Sequence, residues 1–162
     1  MKETNNIILI GMPGCGKTSI GTELSQLMKR EFADTDELII KTTGKSIPAI
    51  FADDGEDIFR RLETETLKTI CSRSGLVIAT GGGIVTRPEN LEIIKKNGTV
   101  IFLERELSQL PVSGRPVSQK EGIEVLAKVR LPLYSQWSDY TFTVSGIEQT
   151  AGLIYEQLLK KA

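Results

Sequence analysis

The apolar positions of this 162-residue chain fall into short continuous runs separated by stretches of helical period. The first run, Ile7-Ile8-Leu9-Ile10, follows a polar N-terminal segment and is closed by Gly11. Unbroken apolar character over 6–10 predicts a central parallel strand buried on both faces. Over 18–30, Ile20, Leu24, Leu27 and Met28 recur at helical spacing, and Lys29-Arg30 stands where a helix end favours cations. A short strand is expected over 31–36, ending in Asp34-Thr35-Asp36, then a short helix over 37–43 stopped by Gly44. Ser46 is the N-cap of a helix over 46–51 with Pro48 in its first turn, interrupted by Asp53-Asp54-Gly55. A long helix over 56–74 places Ile58, Phe59, Leu62, Leu67 and Ile70 on its apolar side, and Gly75 ends it.

Apolar runs at 76–79, 100–103 and 141–144 predict three further strands, with helices over 87–97, 122–137 and 147–161. Pro132 is expected to distort the second of these helices. Between 104 and 119 the pattern is broken by Pro111, Gly114 and Pro116, which predicts a short lid loop over roughly 105–120. Strands alternating with helices define an α/β chain. The expectation is one three-layer domain over 1–162, a five-stranded, mostly parallel sheet with helices on both faces. Ligands in such a sheet bind at the carboxyl ends of the strands. Residues 11–18, Asp34, Asp36 and Gly81-Gly82-Gly83 all fall there.

Composition narrows the chemistry. The net charge of −1 gives no global attraction to nucleic acid or to a membrane, so neither is expected as a partner. An anion must then be held by locally placed Arg, Lys and backbone amides. The chain has no histidine, which removes imidazole acid–base chemistry and a His-based zinc site. Any base is a carboxylate or the substrate itself, and any metal is a hard cation on oxygen ligands. Cys15 and Cys71 lie far apart without metal-ligand spacing and read as free thiols in a reducing cytoplasm. No apolar run is long enough to span a bilayer, and no leader pattern precedes the first strand.

The sharpest motif is Gly11-Met12-Pro13-Gly14-Cys15-Gly16-Lys17-Thr18, set between a strand and a helix. That context is the one a Walker A phosphate loop requires. Glycines let the backbone turn tightly and bring N–H groups close to an anion, and the following helix adds the positive end of its dipole. Lys17 supplies a point charge for the β- and γ-phosphates, and the Thr18 hydroxyl is a hard ligand for Mg²⁺. A turn that merely joins a strand to a helix would not need Lys-Thr after its last glycine.

The other candidates each carry two readings. Asp34 and Asp36 are either a helix N-cap with a solvated acid, or two carboxylates on one side of an extended segment. In the second case one holds a metal-bound water and the other orients an acceptor hydroxyl. The strand before Gly81 has no acidic end, and Asp34 is the natural substitute for the missing acid. Arg60 and Glu63 form an ordinary surface pair worth a few tenths of a kcal/mol, roughly, or a guanidinium held ready to grip a carboxylate bidentately. The triple glycine 81–83 is a flexible strand exit or bare backbone against which a ligand lies. Arg115 is an exposed arginine or a lid residue that folds over phosphates. Arg130, beside Leu131-Pro132-Leu133-Tyr134, is a surface charge or a second anion grip.

Together, and in this order along nearly the whole chain, these features resemble the shikimate kinase family. The resemblance rests on residues 11–18, Phe32-Ala33-Asp34-Thr35-Asp36, Gly55 with Phe59-Arg60 and Glu63, Thr80 with Gly81–Gly83, Arg115-Pro116, and Arg130 with Pro132-Leu133-Tyr134. It implies a P-loop kinase fold and transfer of the ATP γ-phosphate to the 3-hydroxyl of shikimate, within chorismate biosynthesis. By the same resemblance ATP is held by Gly14, Cys15, Gly16, Lys17, Thr18, Ser19 and Arg115. Asp36 binds the shikimate hydroxyls and is the candidate base, Arg60 and Arg130 hold the carboxylate, and Gly82 gives a backbone contact. Lys17 and Arg115 stabilise the transferring phosphoryl group. Glu63, Gly81 and Gly83 support the pocket. Thr18 ligates a single Mg²⁺, with Asp34 assisting through water. The expected protein is a cytoplasmic monomer whose partners are ATP, ADP and shikimate.

The lid departs from the family. From Leu103 to Arg115 the chain is shorter by about one helical turn. The family's adenine-facing arginine has no clear counterpart, Gln109 being a weak stand-in, and Val117-Ser118 replaces a pair of leucines. Two alternatives share the scaffold, a gluconate or nucleoside monophosphate kinase and an ATP-binding chain that has lost activity. A nucleotide-binding switch is a different class, but no Asn-Lys-x-Asp guanine-reading motif is present.

Overall fold

The computed structural model describes residues 5–110 and 120–161. Five strands, β1 (Asn6–Ile10), β2 (Glu31–Asp34), β3 (Leu76–Ala79), β4 (Gly98–Glu104) and β5 (Tyr140–Thr143), form one sheet in the order β2-β3-β1-β4-β5. Every neighbouring pair is parallel, so the sheet is wholly rather than mostly parallel. Parallel neighbours need crossovers, and helices supply them. The central strand β1 is buried at all five positions, so both of its faces are covered, as its unbroken apolar run requires. The edge strand β5 alternates between half-buried and exposed residues.

The helices are α1 (Lys17–Met28), α2 (Thr35–Thr43), α3 (Ile47–Asp54), α4 (Glu56–Cys71), α5 (Pro88–Asn97), α6 (Lys120–Trp137) and α7 (Ile147–Lys161). Among the described residues two apolar cores result. The main one surrounds the sheet and includes Ile7 to Ile10, Ile20, Leu24, Ile78, Ile101 and Ile154. A small second one joins α2, α3 and α4 through Ile39, Ile50 and Phe59, with Ile47, Phe51 and Leu62 packed around them.

Several boundaries differ from expectation for local reasons. The second strand stops at Asp34, because its Oδ1 accepts the N–H groups of Asp36 at 2.9 Å and Glu37 at 3.2 Å. That cap turns the chain into α2, so Asp34 and Asp36 do not share an extended segment. Ser46 caps α3 as expected, accepting from Ala49 N–H at 3.2 Å, but α3 runs on to Asp54. Gly55, at φ 87°, makes the break before α4. The triple glycine opens into an unpredicted 3₁₀ turn over Gly82–Thr86. Helix α6 continues through Pro132, with Arg130 and Tyr134 buried on either side of it. Pro132 removes one helical N–H, and burial of the flanking side chains holds the helix together.

Of the span expected as a lid, residues 111–119 lie outside the described residues. A second 3₁₀ turn occupies Leu107–Gln109, Leu107 packs on the main core and Leu110 is buried within it. Arg115, Pro116, Val117 and Ser118 lie outside the described residues.

Candidate active site

The residues between β1 and α1 turn through positive φ at Gly14 (79°) and Gly16 (110°), a region that L side chains seldom adopt. Met12 O accepts the N–H of Cys15 at 3.1 Å, which tightens the turn. Lys17, the first residue of α1, folds back over the loop. Its Nζ donates to Gly11 O at 2.7 Å and Met12 O at 2.9 Å, and lies 3.7 Å from Cys15 Sγ. The ammonium is thereby held above a ring of backbone groups at a helix N-terminus, the arrangement that binds phosphate. The Thr18 hydroxyl donates to Asp34 Oδ2 at 2.7 Å. Asp34 thus both caps α2 and accepts from the Thr18 hydroxyl.

A cavity of about 690 Å³ opens at the carboxyl ends of the strands. Residues 14–19 form one wall, and Asp34, Asp36, Arg60, Glu63, Gly81–Gly83 and Arg130 also line it. Arg60 is buried, so the reading as a surface ion pair is excluded. Its Nη1 donates to Glu63 Oε1 at 3.1 Å and its Nη2 to Glu56 Oε1 at 3.2 Å. Its guanidinium lies 5.2 Å from the centre of the Phe59 ring. Arg60 Nε and Glu63 Oε2 are buried and have no hydrogen-bond partner among the described residues. Orphaned buried atoms of this kind, beside a cavity, point to a ligand.

The glycines explain how these groups come so close. A Cβ on Gly81 would stand 2.6 Å from Glu63 Oε2 and 2.9 Å from Asp36 Oδ1. One on Gly83 would stand 2.1 Å from Arg60 Nη1, and one on Gly82 would stand 2.7 Å from Pro13 Cγ and Cδ. Gly82 is fixed from behind, since the Tyr134 hydroxyl donates to its carbonyl at 2.5 Å. Burial pushes the Tyr134 hydroxyl pKa well above its usual value, so it stays a donor. Burial also pushes the Glu63 carboxyl up, and Asp36 acts in the same direction, while Arg60 and Arg130 oppose them. Arg130 is 4% exposed and enters from α6, from the far end of the chain.

Lys17, Thr18, Asp34, Asp36, Arg60, Glu63, Gly81–Gly83 and Arg130 therefore border one space, together with Gly14, Cys15, Gly16 and Ser19. Arg115 is outside the described residues. Gln109, the stand-in for a cation before the lid, is exposed and not part of the cavity wall. Arg105 is there instead, directly after the carboxyl end of β4. Sequence reasoning passed over it because it lies in no motif. Its place just beyond a strand end was the available signal. Ile47, Pro48, Phe51 and Phe59 add an apolar wall, and Val144 and Ser145 of the β5–α7 connection with Ile147 at the start of α7 add another. Neither group was anticipated.

A wholly parallel sheet with a phosphate loop after its central strand and an ionic cavity at its carboxyl edge defines a P-loop kinase. The family model described as shikimate kinase matches residues 13–161. A shikimate kinase of Clostridium botulinum (strain Eklund 17B / Type B) is 44% identical over 138 residues, covering 82% of this chain and 83% of its own. One from Vibrio parahaemolyticus is 37% identical over 99% of this chain and 97% of its own. The solved structure of shikimate kinase from Acinetobacter baumannii in complex with shikimate is 36% identical. It superposes with a TM-score of 0.93, covering 98% of this chain and 94% of that one. The chain belongs to the shikimate kinase family.

Proposed function

We propose that this chain transfers the γ-phosphoryl group of ATP to the 3-hydroxyl of shikimate, giving shikimate 3-phosphate and ADP for aromatic amino acid biosynthesis. The observation that carries the proposal is the convergence of Asp36, Arg60 and Arg130 on the cavity that Lys17 and the phosphate loop wall. A hydroxylated ring bearing one carboxylate needs both kinds of group. Guanidiniums recognise the carboxylate bidentately, and a carboxylate accepts from the hydroxyls.

Arg60 and Arg130 bind the shikimate carboxylate, and the backbone at Gly82 approaches the ring where a side chain would not fit. Asp36 orients the 3-hydroxyl and accepts its proton as the oxygen bonds to phosphorus. The bond to the ADP oxygen breaks as that bond forms, and ADP leaves with the electron pair. Lys17 stays with the phosphoryl oxygens through the transfer, which is where positioned charge lowers the barrier. Arg115 adds to this charge from the lid.

The residues present fit one Mg²⁺ bound with ATP. Thr18 Oγ1 and Asp34 Oδ2 are hard oxygen donors 2.7 Å apart beside the phosphate loop. Among the described residues no group of three or more Asp, Glu, Cys or His offers a protein-only cage, so the remaining ligands would be phosphate oxygens and water. Thr18 would bind the ion directly and Asp34 through water, and the ion's charge would offset that of the β- and γ-phosphates. We place the protein in the cytoplasm as a monomer, without nucleic-acid or membrane partners. Two free thiols support a reducing compartment, and no helix among the described residues is long and apolar enough to cross a membrane.

A coupled ADP-release assay tests the proposal. ADP formation is expected only when ATP, Mg²⁺ and shikimate are all present. Turnover without shikimate, or only with gluconate or a nucleotide as acceptor, overturns it.

A further inference from the structure

Apart from Arg130, which comes from α6, the acceptor groups at the strand ends reach the cavity from one side of the phosphate loop. Asp36 follows β2, Gly81–Gly83 follow β3, and both strands lie to the same side of β1 in the sheet order. A nucleotide with its terminal phosphate facing them must extend the other way, toward the ends of β4 and β5. The cavity does continue there, lined by Val144 and Ser145 of the β5–α7 connection and by Ile147 at the start of α7. Arg105, just past the end of β4, lines the same cavity. It is half-buried, and its Nη1 donates to Gly14 O at 3.3 Å, which fastens the guanidinium to the shoulder of the phosphate loop. A single carbonyl leaves most of its five donors uncommitted. Among the described residues no carboxylate forms an ion pair with it. Lys17 likewise holds two of the loop's carbonyls, Gly11 O and Met12 O, with its ammonium.

We infer that Arg105 is a nucleotide-binding residue, which pairs with the polyphosphate chain of ATP on the side of the loop opposite the acceptor. The inference rests on the reading that ATP occupies the phosphate loop. The guanidinium is fixed at one nitrogen by the Gly14 carbonyl and offers its remaining N–H groups to phosphate oxygens. It thereby ties loop geometry to phosphate binding. It contributes to affinity for ATP and ADP and has no part in holding the acceptor.

The test measures ATP and shikimate binding separately, by calorimetry, in the parent chain, Arg105→Gln and Arg105→Lys, with inorganic tripolyphosphate as a competing probe that lacks a base. Arg105→Gln is expected to weaken ATP and tripolyphosphate alike, by roughly tenfold for a lost charge-assisted contact. Shikimate binding without nucleotide is unchanged, and Arg105→Lys recovers part of the loss. Unchanged ATP affinity in Arg105→Gln overturns the assignment. So does weakened ATP with undiminished tripolyphosphate binding, which would put Arg105 on the base. Equal loss of ATP and shikimate also overturns it, since that is a purely structural role. Failure of the parent chain to bind ATP at all would reject the underlying reading instead.

Discussion

The phosphate end of the cavity is built from consecutive residues, Gly11 to Thr18, whereas its acceptor end is gathered from α2, α4, the exit of β3 and α6, across the span from Asp36 to Arg130. The first is mostly backbone: amides, three positive-φ glycines and one lysine tied to the carbonyls beneath it. The second is mostly buried charge: Arg60 and Arg130 beside Asp36 and a carboxyl at Glu63 that is fully out of water. Backbone groups in a short turn are ordered by one local closure. The acceptor charges are ordered only when the whole sheet and α6 are in place, and each costs free energy to bury unless the others are present. The phosphate end is therefore robust and generic. The acceptor end is specific and exposed to damage at any of its parts. Part of it also rests on the small α2–α4 core rather than on the main one.

Substitutions that break one end and spare the other sharpen this contrast. The largest effect is expected for Lys17→Ala, where kcat falls by at least about 10²–10³-fold, the range for losing one preorganised charge at a transferring group. Shikimate binding in the absence of nucleotide stays intact by calorimetry. Next is Arg60→Ala, which weakens shikimate by about 30-fold or more, from a cost of ~2 kcal/mol or more for truncating one partner of a buried charge pair. ATP affinity is retained in this variant; equal loss of both ligands would mean that the two ends are not independent.

Gly82 is the seam. A methyl group there would meet Pro13 Cγ and Cδ at 2.7 Å and Pro13 N at 3.1 Å, and so would press the acceptor wall against the phosphate loop. Overpacking of this kind costs about 1–3 kcal/mol. Gly82→Ala is therefore the variant expected to raise KM for both substrates, by about tenfold, in steady-state kinetics. A rise for shikimate alone would show that the seam does not couple the two walls.

The smallest effect concerns pH. Burial holds the Glu63 pKa above its ordinary value, so the folded chain binds that proton more tightly than the unfolded chain. The contribution of Glu63 to stability is then greatest at acid pH and declines as pH rises above the ordinary carboxylate range. Glu63→Gln lacks this slope. The unfolding free energy of the variant minus that of the parent should grow between about pH 5 and about pH 8 in urea titrations. A difference that shrinks as pH rises would mean that Arg60 and Arg130 outweigh burial at this carboxyl.

Much of the molecule is legible in its sequence. Unbroken apolar runs marked the strands, because a parallel strand covered on both faces has no polar alternation. The phosphate loop was legible for a related reason: its geometry depends on glycine, lysine and threonine at adjacent positions, and local conformation is written locally. Family resemblance then joined the scattered acceptor residues into one site. The boundary at Asp34 was misread because a strand end and a helix cap use the same residue type, and only the hydrogen bonds to Asp36 and Glu37 separate them. Arg105 was missed because one arginine among charged neighbours carries no pattern.

Element types, their order and the anion-binding turn were determined by residues close together in the chain, where sterics and hydrogen bonding act over a few peptide units. Tertiary structure alone decided that Arg60 is buried rather than a surface charge, that the Tyr134 hydroxyl grips the Gly82 carbonyl from 52 positions away, and that Arg105 stands on the loop. Those outcomes depend on burial and on distances between remote segments. Both quantities come into being only when the sheet closes around its core and water leaves the space between its layers.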